Sequence, residues 1–134
     1  MRVAFPMMVI LTLSACSSAP THHVDTQAVR DYVEVGELES VDHIRTYHRD
    51  SMEYLSEFFI LYEARTKEYL VEFRRSCREF RDNRAVAPDH RYDHNRLRAN
   101  EDTIRGCRIA RIYPLTSAQA EELRNLGHAP GAGN

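Results

Sequence analysis

The chain lacks several features that would assign it to a class of protein. Its 134 residues contain no tryptophan, three cysteines and a single lysine among 18 basic residues. The formal net charge of −2 gives no support to a nucleic-acid partner. The apolar run over residues 3–13 is shorter than the ~20 residues that a membrane-spanning helix needs. With 43% hydrophobic and 28% charged residues, the composition is that of one small globular domain.

Known catalytic motifs are also missing. The sequence contains no nucleophile elbow, phosphate-binding loop, carboxylate pair or cysteine–histidine arrangement. Asp102 is an acid beside a predicted strand, where it could cap a turn, pair with an arginine or act as a general base. No spacing supplies it with a catalytic partner, so we expect that the protein is not an enzyme.

The apolar run predicts the hydrophobic part of a secretory signal, because it follows a positive start at residues 1–2. It ends in Leu-Ser-Ala-Cys at residues 13–16, which resembles the lipobox of bacterial lipoproteins. The resemblance implies a covalent lipid on Cys16 and no other cofactor, and several acyl chains anchor a protein stably. Ser17 then favours the outer membrane, with the domain facing the periplasm. An ordinary cleavable signal or an uncleaved anchor is the alternative.

These features predict four segments along the chain. They are a signal peptide at residues 1–15, a lipidated flexible tether at 16–28, a single globular domain at 29–127 and a disordered tail at 128–134. The tether holds the pair His22 and His23, which a mobile segment would present too loosely for tight metal binding.

The first half of the domain contains one strong structural signal. Residues 58–62 form a continuous apolar run and residues 68–73 alternate, which predicts an antiparallel hairpin with its loop at 64–67. Residues 31–47 alternate imperfectly between apolar and acidic side chains, which favours one or two strands. A helix up to Val35 is the alternative.

In the second half of the domain, the sequence signals for secondary structure are weaker except near its end. Residues 84–87 are a candidate strand, and residues 107–113 predict another that Pro114 ends. Residues 116–119 resemble a capping box that starts a C-terminal helix. We therefore predict a small α+β domain, with an antiparallel, partly barrel-like sheet of about four to six strands and a C-terminal helix.

The cysteine count indicates one disulfide. If Cys16 carries lipid, Cys77 and Cys107 remain as a pair, 30 residues apart and each beside a predicted strand. Disulfides persist outside the cytoplasm, where such a lipoprotein would fold. A catalytic or metal-binding thiol is the alternative, although neither cysteine belongs to a CxxC motif.

Two features suggest binding sites. His90 and His94, with Asp93 between them, have the spacing of metal ligands on a helix, although the flanking Asp, Asn and Pro residues favour a solvated loop. Residues 65–111 carry 13 basic and eight acidic residues, a net charge of +5, whereas residues 22–63 carry 10 acids and three arginines, a net charge of −7. The two segments could pair with each other, or the basic one could form a face for anionic glycans or lipids.

Tyrosines recur through the domain, and we expect them to be sheet and core residues rather than a stacking platform. They are Tyr47, Tyr54, Tyr62, Tyr69, Tyr92 and Tyr113.

The order of motifs resembles a family of small proteobacterial lipoproteins that is defined only as domain of unknown function 6491. The resemblance rests on the strand EYLVEF, Cys77, a variable middle, Asp102, and then CRI and IYPL from Cys107 onward. It covers roughly residues 31–126 and implies a periplasm-facing lipoprotein with one disulfide. Members often carry a tryptophan before the hairpin, and we expect Tyr54 to fill that place here. The resemblance supplies no activity.

We expect a non-enzymatic lipoprotein that contacts an envelope protein or a cell-wall component. A periplasmic binder of a small ligand or a metal is the second hypothesis, and an envelope hydrolase is the third.

Overall fold

A computed structural model of the chain describes residues 24–47, 50–78 and 95–126. Over these residues the elements are, in chain order, α1 (Thr26–Val35), β1 (His43–Arg45), β2 (Ser51–Ser56), β3 (Phe59–Ala64), β4 (Lys67–Phe73), β5 (Arg96–Arg98), β6 (Thr103–Ile104), β7 (Cys107–Leu115) and α2 (Ser117–Asn125). Neither of these helices is long and apolar enough to cross a membrane.

Five strands form an antiparallel sheet in the order β2-β3-β4-β7-β6. The short strand β6 pairs only with the start of β7. Further along the same edge, the N–H of Val41 donates to the carbonyl of Ile112 at 2.8 Å. β1 and β5 pair separately as a two-stranded ribbon. The sheet is half-barrel-like, and the predicted antiparallel, partly barrel-like architecture with a C-terminal helix is confirmed.

One face of the sheet packs against the two helices. Leu61, Leu70 and Tyr113 are buried there with Val29 of α1 and Leu123 of α2. Full burial of a side chain such as leucine contributes about 1.5–3 kcal/mol. This contact holds both helices on the sheet.

The opposite face packs beneath the ribbon. Val71 and Ile112 are buried there with Ile44 of β1 and Leu97 of β5. Because both faces are covered, the middle strands read as nearly continuous apolar runs rather than as a clean alternation.

A disulfide joins Cys77 to Cys107, with the two Cα atoms 5.9 Å apart, as predicted. Both cysteines are buried in the core under the ribbon. The N–H of Cys77 also donates to the carbonyl of Glu57 at 2.6 Å, which ties the segment after β4 to the β2–β3 turn.

The preferred prediction of strand structure from residue 31 to Val35 is wrong, and the helix alternative is correct. The physical reason is the spacing of Val29, Tyr32 and Val33, which places them on one stripe of α1 against the sheet. A strand is found only at His43–Arg45.

The fold also starts earlier than predicted. Val24 is buried, and its N–H donates to the carbonyl of Leu55 at 3.0 Å. Asp25 then caps α1. Residues 24–28, which were predicted to end the tether at 16–28, therefore belong to the described fold.

The β3–β4 hairpin is confirmed, with a turn at Arg65 and Thr66 and a positive φ of 64° at Arg65. β7 continues through Pro114 to Leu115, two residues beyond its predicted end. The capping box at the start of α2 is confirmed by reciprocal hydrogen bonds between Thr116 and Gln119, of 2.9 and 3.2 Å. The candidate strand at 84–87 lies outside the described residues.

Arg124 fastens α2 to the sheet. Its guanidinium donates to the carboxylate of Glu53 on β2 at 2.8 Å and to that of Glu68 on β4 at 2.7 Å. The side chain of Glu68 is only 15% exposed, so without Arg124 a nearly buried carboxylate would be left unpaired.

Candidate functional site

An open cleft of about 870 Å³ lies between the β1–β5 ribbon and the edge of the sheet where β4 begins and β7 ends. The ribbon lines it with Arg45 and Arg96, and the sheet with Lys67 and Tyr69. Its size is within the usual range of 300–1,000 Å³ for small-molecule sites.

The ribbon sets the direction of its arginines. Ile44 lies opposite Leu97, and both side chains are buried in the core. Side chains alternate along a strand, so the neighbouring pair, Arg45 opposite Arg96, is exposed. Two like charges directly opposite each other destabilise an antiparallel pair.

The cleft carries an excess of positive charge. Over residues 24–47, 50–78 and 95–126, neither Arg45, Lys67 nor Arg96 forms a salt bridge. Among the described residues that line the cleft, Glu68 is the one acid, and its carboxylate is bound to Arg124. The three cations are therefore not neutralised by the described acids.

A tyrosine beside the cleft holds the guanidinium group of Arg45 and that of one further arginine, Arg65. The guanidinium carbons of Arg45 and Arg65 lie over the ring of Tyr47, 5.7 and 5.3 Å from its centre. A smaller cavity of about 200 Å³ around Tyr47 shares Lys67 and Tyr69 with the cleft. Cation–π contacts of this length fix the position of the guanidinium groups.

The interpretation of every tyrosine as a core or sheet residue is therefore wrong for Tyr47, whose side chain is 37% exposed. Tyr62, Tyr69 and Tyr113 are buried as expected. Tyr92 lies outside the described residues.

Asp50 bonds to two of the tyrosines in this region. Its Oδ2 accepts hydrogen bonds from the hydroxyl of Tyr62 at 2.7 Å and from the N–H of Tyr47 at 2.8 Å. Burial, then the nearby Tyr47 and the charge of Asp50, raise the pKa of Tyr69 above its ordinary value. Tyr69 therefore lines the cleft as a neutral phenol near pH 7.

Asp102 caps a turn. Its Oδ2 accepts the N–H of Arg98 at 2.6 Å, and its own N–H donates to the carbonyl of Arg98 at 3.2 Å. Asp102 is 7% exposed and does not line the cleft. Among the roles that the sequence left open, the contacts of this carboxylate are those of the turn between β5 and β6.

The remaining predicted site residues cannot be placed. Cys16, His90, Asp93 and His94 all lie outside the described residues. Within the part of the chain that the structure describes, no group of three or more His, Cys, Asp or Glu side chains could hold a metal ion.

Only part of the cleft has a signal in the sequence. Lys67 and Arg96 belong to the basic stretch 65–111, but Arg45 comes from the acidic first half. Other arginines of the basic stretch lie elsewhere, such as Arg78, which pairs with Glu57 at 3.9 Å. The described arginines of the basic stretch do not therefore all line the cleft.

Comparison with known proteins gives one match. The model of a family of unknown function (DUF6491) matches residues 1–127. No curated protein and no solved structure matches the chain. The chain belongs to the DUF6491 family, as its motifs suggested.

Proposed function

We propose that this member of the DUF6491 family is a lipid-anchored binding protein of the bacterial envelope, without catalytic activity. The anchor would be a diacylglycerol on Cys16, added at the lipobox-like segment, and Ser17 would direct the protein to the outer membrane. The buried disulfide between Cys77 and Cys107 supports this address, because such bonds persist outside the cytoplasm.

The position of the cleft carries the binding role. The described chain enters at Val24, which bonds to Leu55 beside the β2–β3 turn. The cleft begins at Lys67, directly after the β3–β4 turn. Successive hairpin turns lie at opposite ends of an antiparallel sheet, so about one strand length, ~20 Å, separates the two.

A short link would orient the domain. Seven residues, 17–23, separate Cys16 from Val24, and the eight Cα–Cα steps between these two residues span at most ~28 Å in a fully extended chain. The end at Val24 would then stay near the membrane, while the cleft would face the periplasm. There it would contact an envelope protein or a cell-wall component.

Fractionation of cells tests the anchor. In cells supplied with labelled palmitate, the wild-type protein should carry label and sediment with outer membranes. Cys16→Ser should carry none and leave the membrane fraction, and Ser17→Asp should shift the protein to the inner membrane. Membrane retention of unlabelled Cys16→Ser protein would contradict the proposal.

Crosslinking in living cells tests the orientation. A photoreactive residue in place of Arg96, in the cleft, should form a discrete adduct. The matched control replaces Arg75, an exposed arginine after the opposite end of β4, and should form none. Adducts from the photoreactive residue at position 75 but not at position 96 would place the contact surface at the end of the sheet away from the cleft. That result would contradict the proposal.

A further inference from the structure

We propose that the cleft between the ribbon and the sheet binds a small ligand with two or more carboxylate or phosphate groups. This inference goes beyond the proposed contact with an envelope protein or the cell wall, because it assigns a small ligand to the same cleft. It rests on the proposed function only for the orientation of the cleft away from the membrane.

The first observation is the cross-strand arginine pair. Arg45 lies opposite Arg96, and no acid in the described ranges forms a salt bridge with either. This arrangement costs stability in the free protein. An anionic group bound between the two guanidinium groups would remove the repulsion. Guanidinium matches carboxylate and phosphate in a bidentate geometry.

The second observation is that positive charge enters the cleft from two walls. Lys67 projects from the sheet, whereas Arg45 and Arg96 belong to the ribbon. The nearest acid of the sheet wall, Glu68, is bound to Arg124. Cations on both sides of one open volume fit a ligand with at least two anionic groups.

The third observation is the preset position of Arg45. Its guanidinium lies over the ring of Tyr47, which it shares with Arg65. A guanidinium held before binding loses less conformational freedom when the ligand arrives. The half-buried apolar residues Val41 and Leu115 also line the cleft and would contact the uncharged part of the ligand.

The position of the cleft favours a dissolved ligand over a lipid headgroup. The cleft lies about one strand length from Val24, where the described chain begins, so the anchoring membrane is at the other end of the domain. Dissolved ligands and lipid headgroups both carry phosphate groups, and the test therefore includes both kinds of ligand.

The test uses the mature chain 16–134 with Cys16→Ser, purified with its disulfide intact. Pyrophosphate and citrate are titrated separately by calorimetry in 50 mM and 300 mM NaCl. We expect at least one of them to bind with a Kd below about 1 mM at low salt. Binding should weaken at high salt, because the Debye length shortens.

Variants assign the binding to the cleft. The double change Arg45→Gln and Arg96→Gln should weaken binding at least about tenfold, since it removes two charge-assisted contacts. Arg75→Gln removes one arginine charge outside the cleft and should leave the Kd unchanged. Without ligand, the double variant should melt no lower than the wild type, because it loses a repulsive pair. That melting curve separates loss of binding from loss of folding.

Vesicles form the last arm. Vesicles of phosphatidylglycerol and phosphatidylcholine should retain the wild type no better than the double variant. Binding of neither anion, or anion binding that the double variant keeps, would overturn the inference. Arginine-dependent vesicle binding would overturn it too, in favour of a headgroup. None of these results depends on the lipid anchor, so the anchoring proposal stands or falls separately.

Discussion

Replacing Cys77 and Cys107 together by alanine measures how far the fold depends on its disulfide. The bond closes a loop of 30 residues. In the chain-entropy model, a loop of this length restricts the unfolded chain by about 3.6 kcal/mol at 25 °C. The bond changes the free energy of the folded state less, because β4 and β7 pair by hydrogen bonds of their own.

Packing adds to this value. Both cysteines are 1% exposed in the core beneath the ribbon, so alanine also removes buried sulfur atoms. We therefore expect the free energy of unfolding to fall by about 3–5 kcal/mol. Small domains have total stabilities of about 5–15 kcal/mol, so the double variant should be marginal at 37 °C.

Urea unfolding of the soluble chain, followed by far-UV circular dichroism because tryptophan is absent, gives the measurement. Reduction of the wild type with a thiol reagent is the matched control and should cause most of the same loss. A loss below about 1 kcal/mol in both cases would refute the reasoning. Two titratable thiols at Cys77 and Cys107 in the unreduced, denatured chain would also refute it.

Three further predictions concern single side chains. Arg124→Met should lower the free energy of unfolding by about 2 kcal/mol, because it leaves the nearly buried carboxylate of Glu68 without its partner. Asp102→Ala should cost about 1–3 kcal/mol by leaving a backbone N–H of the β5–β6 turn unpaired. Burial and the hydrogen bond to Glu122 raise the pKa of Tyr32 to about 12 from 10.0, so its neutral form favours the fold. That contribution is complete below pH 10 and is lost as the pH rises through 12. Tyr32→Phe should therefore abolish about 1 kcal/mol of the wild-type decline between pH 10 and 12, a value reduced for solvent screening.

Each of these changes has a control or a contrary result. Arg75→Met and Glu101→Ala alter exposed side chains and should change the urea midpoint little. If Arg124→Met or Asp102→Ala changed it equally little, their contacts would contribute nothing measurable. An unchanged alkaline decline in Tyr32→Phe would remove Tyr32 as its cause.

Local patterns predicted the elements whose signals lie within a few residues. The β3–β4 hairpin has an apolar run on each side of a short polar turn, and α2 begins at a complete capping box. The disulfide followed from the number and position of the cysteines. In each case the sequence signal and the tertiary environment favour the same structure.

Elements defined by their neighbours were harder to predict. β2 is an edge strand whose first three residues are exposed, so it lacks a buried alternation, and the sequence analysis did not identify it. β1 and β5 have three residues each and exist because they pair with each other. In the second half of α1, acidic residues alternate with valines, which favours a strand, while the buried stripe of the helix depends on the sheet beneath it.

The residues that line the cleft were hard to predict for the same reason, because strand pairing brings them together. Arg45 and Arg96 stand in segments of opposite net charge, and only the β1–β5 pairing places them side by side. The net charge of residues 65–111 indicated a basic stretch, but it did not indicate which of its side chains line the cleft. Asp102 stood out in the sequence, yet its carboxylate is used by a turn.

The intact mass of the protein extracted from membranes of its own host shows whether it is a processed lipoprotein with one disulfide. We expect the mass of residues 16–134 with a lipid on Cys16, less two hydrogens for the bond between Cys77 and Cys107. Reduction should restore those two hydrogens and leave the lipid in place. A mass that includes residues 1–15, or an unmodified Cys16, would contradict this expectation.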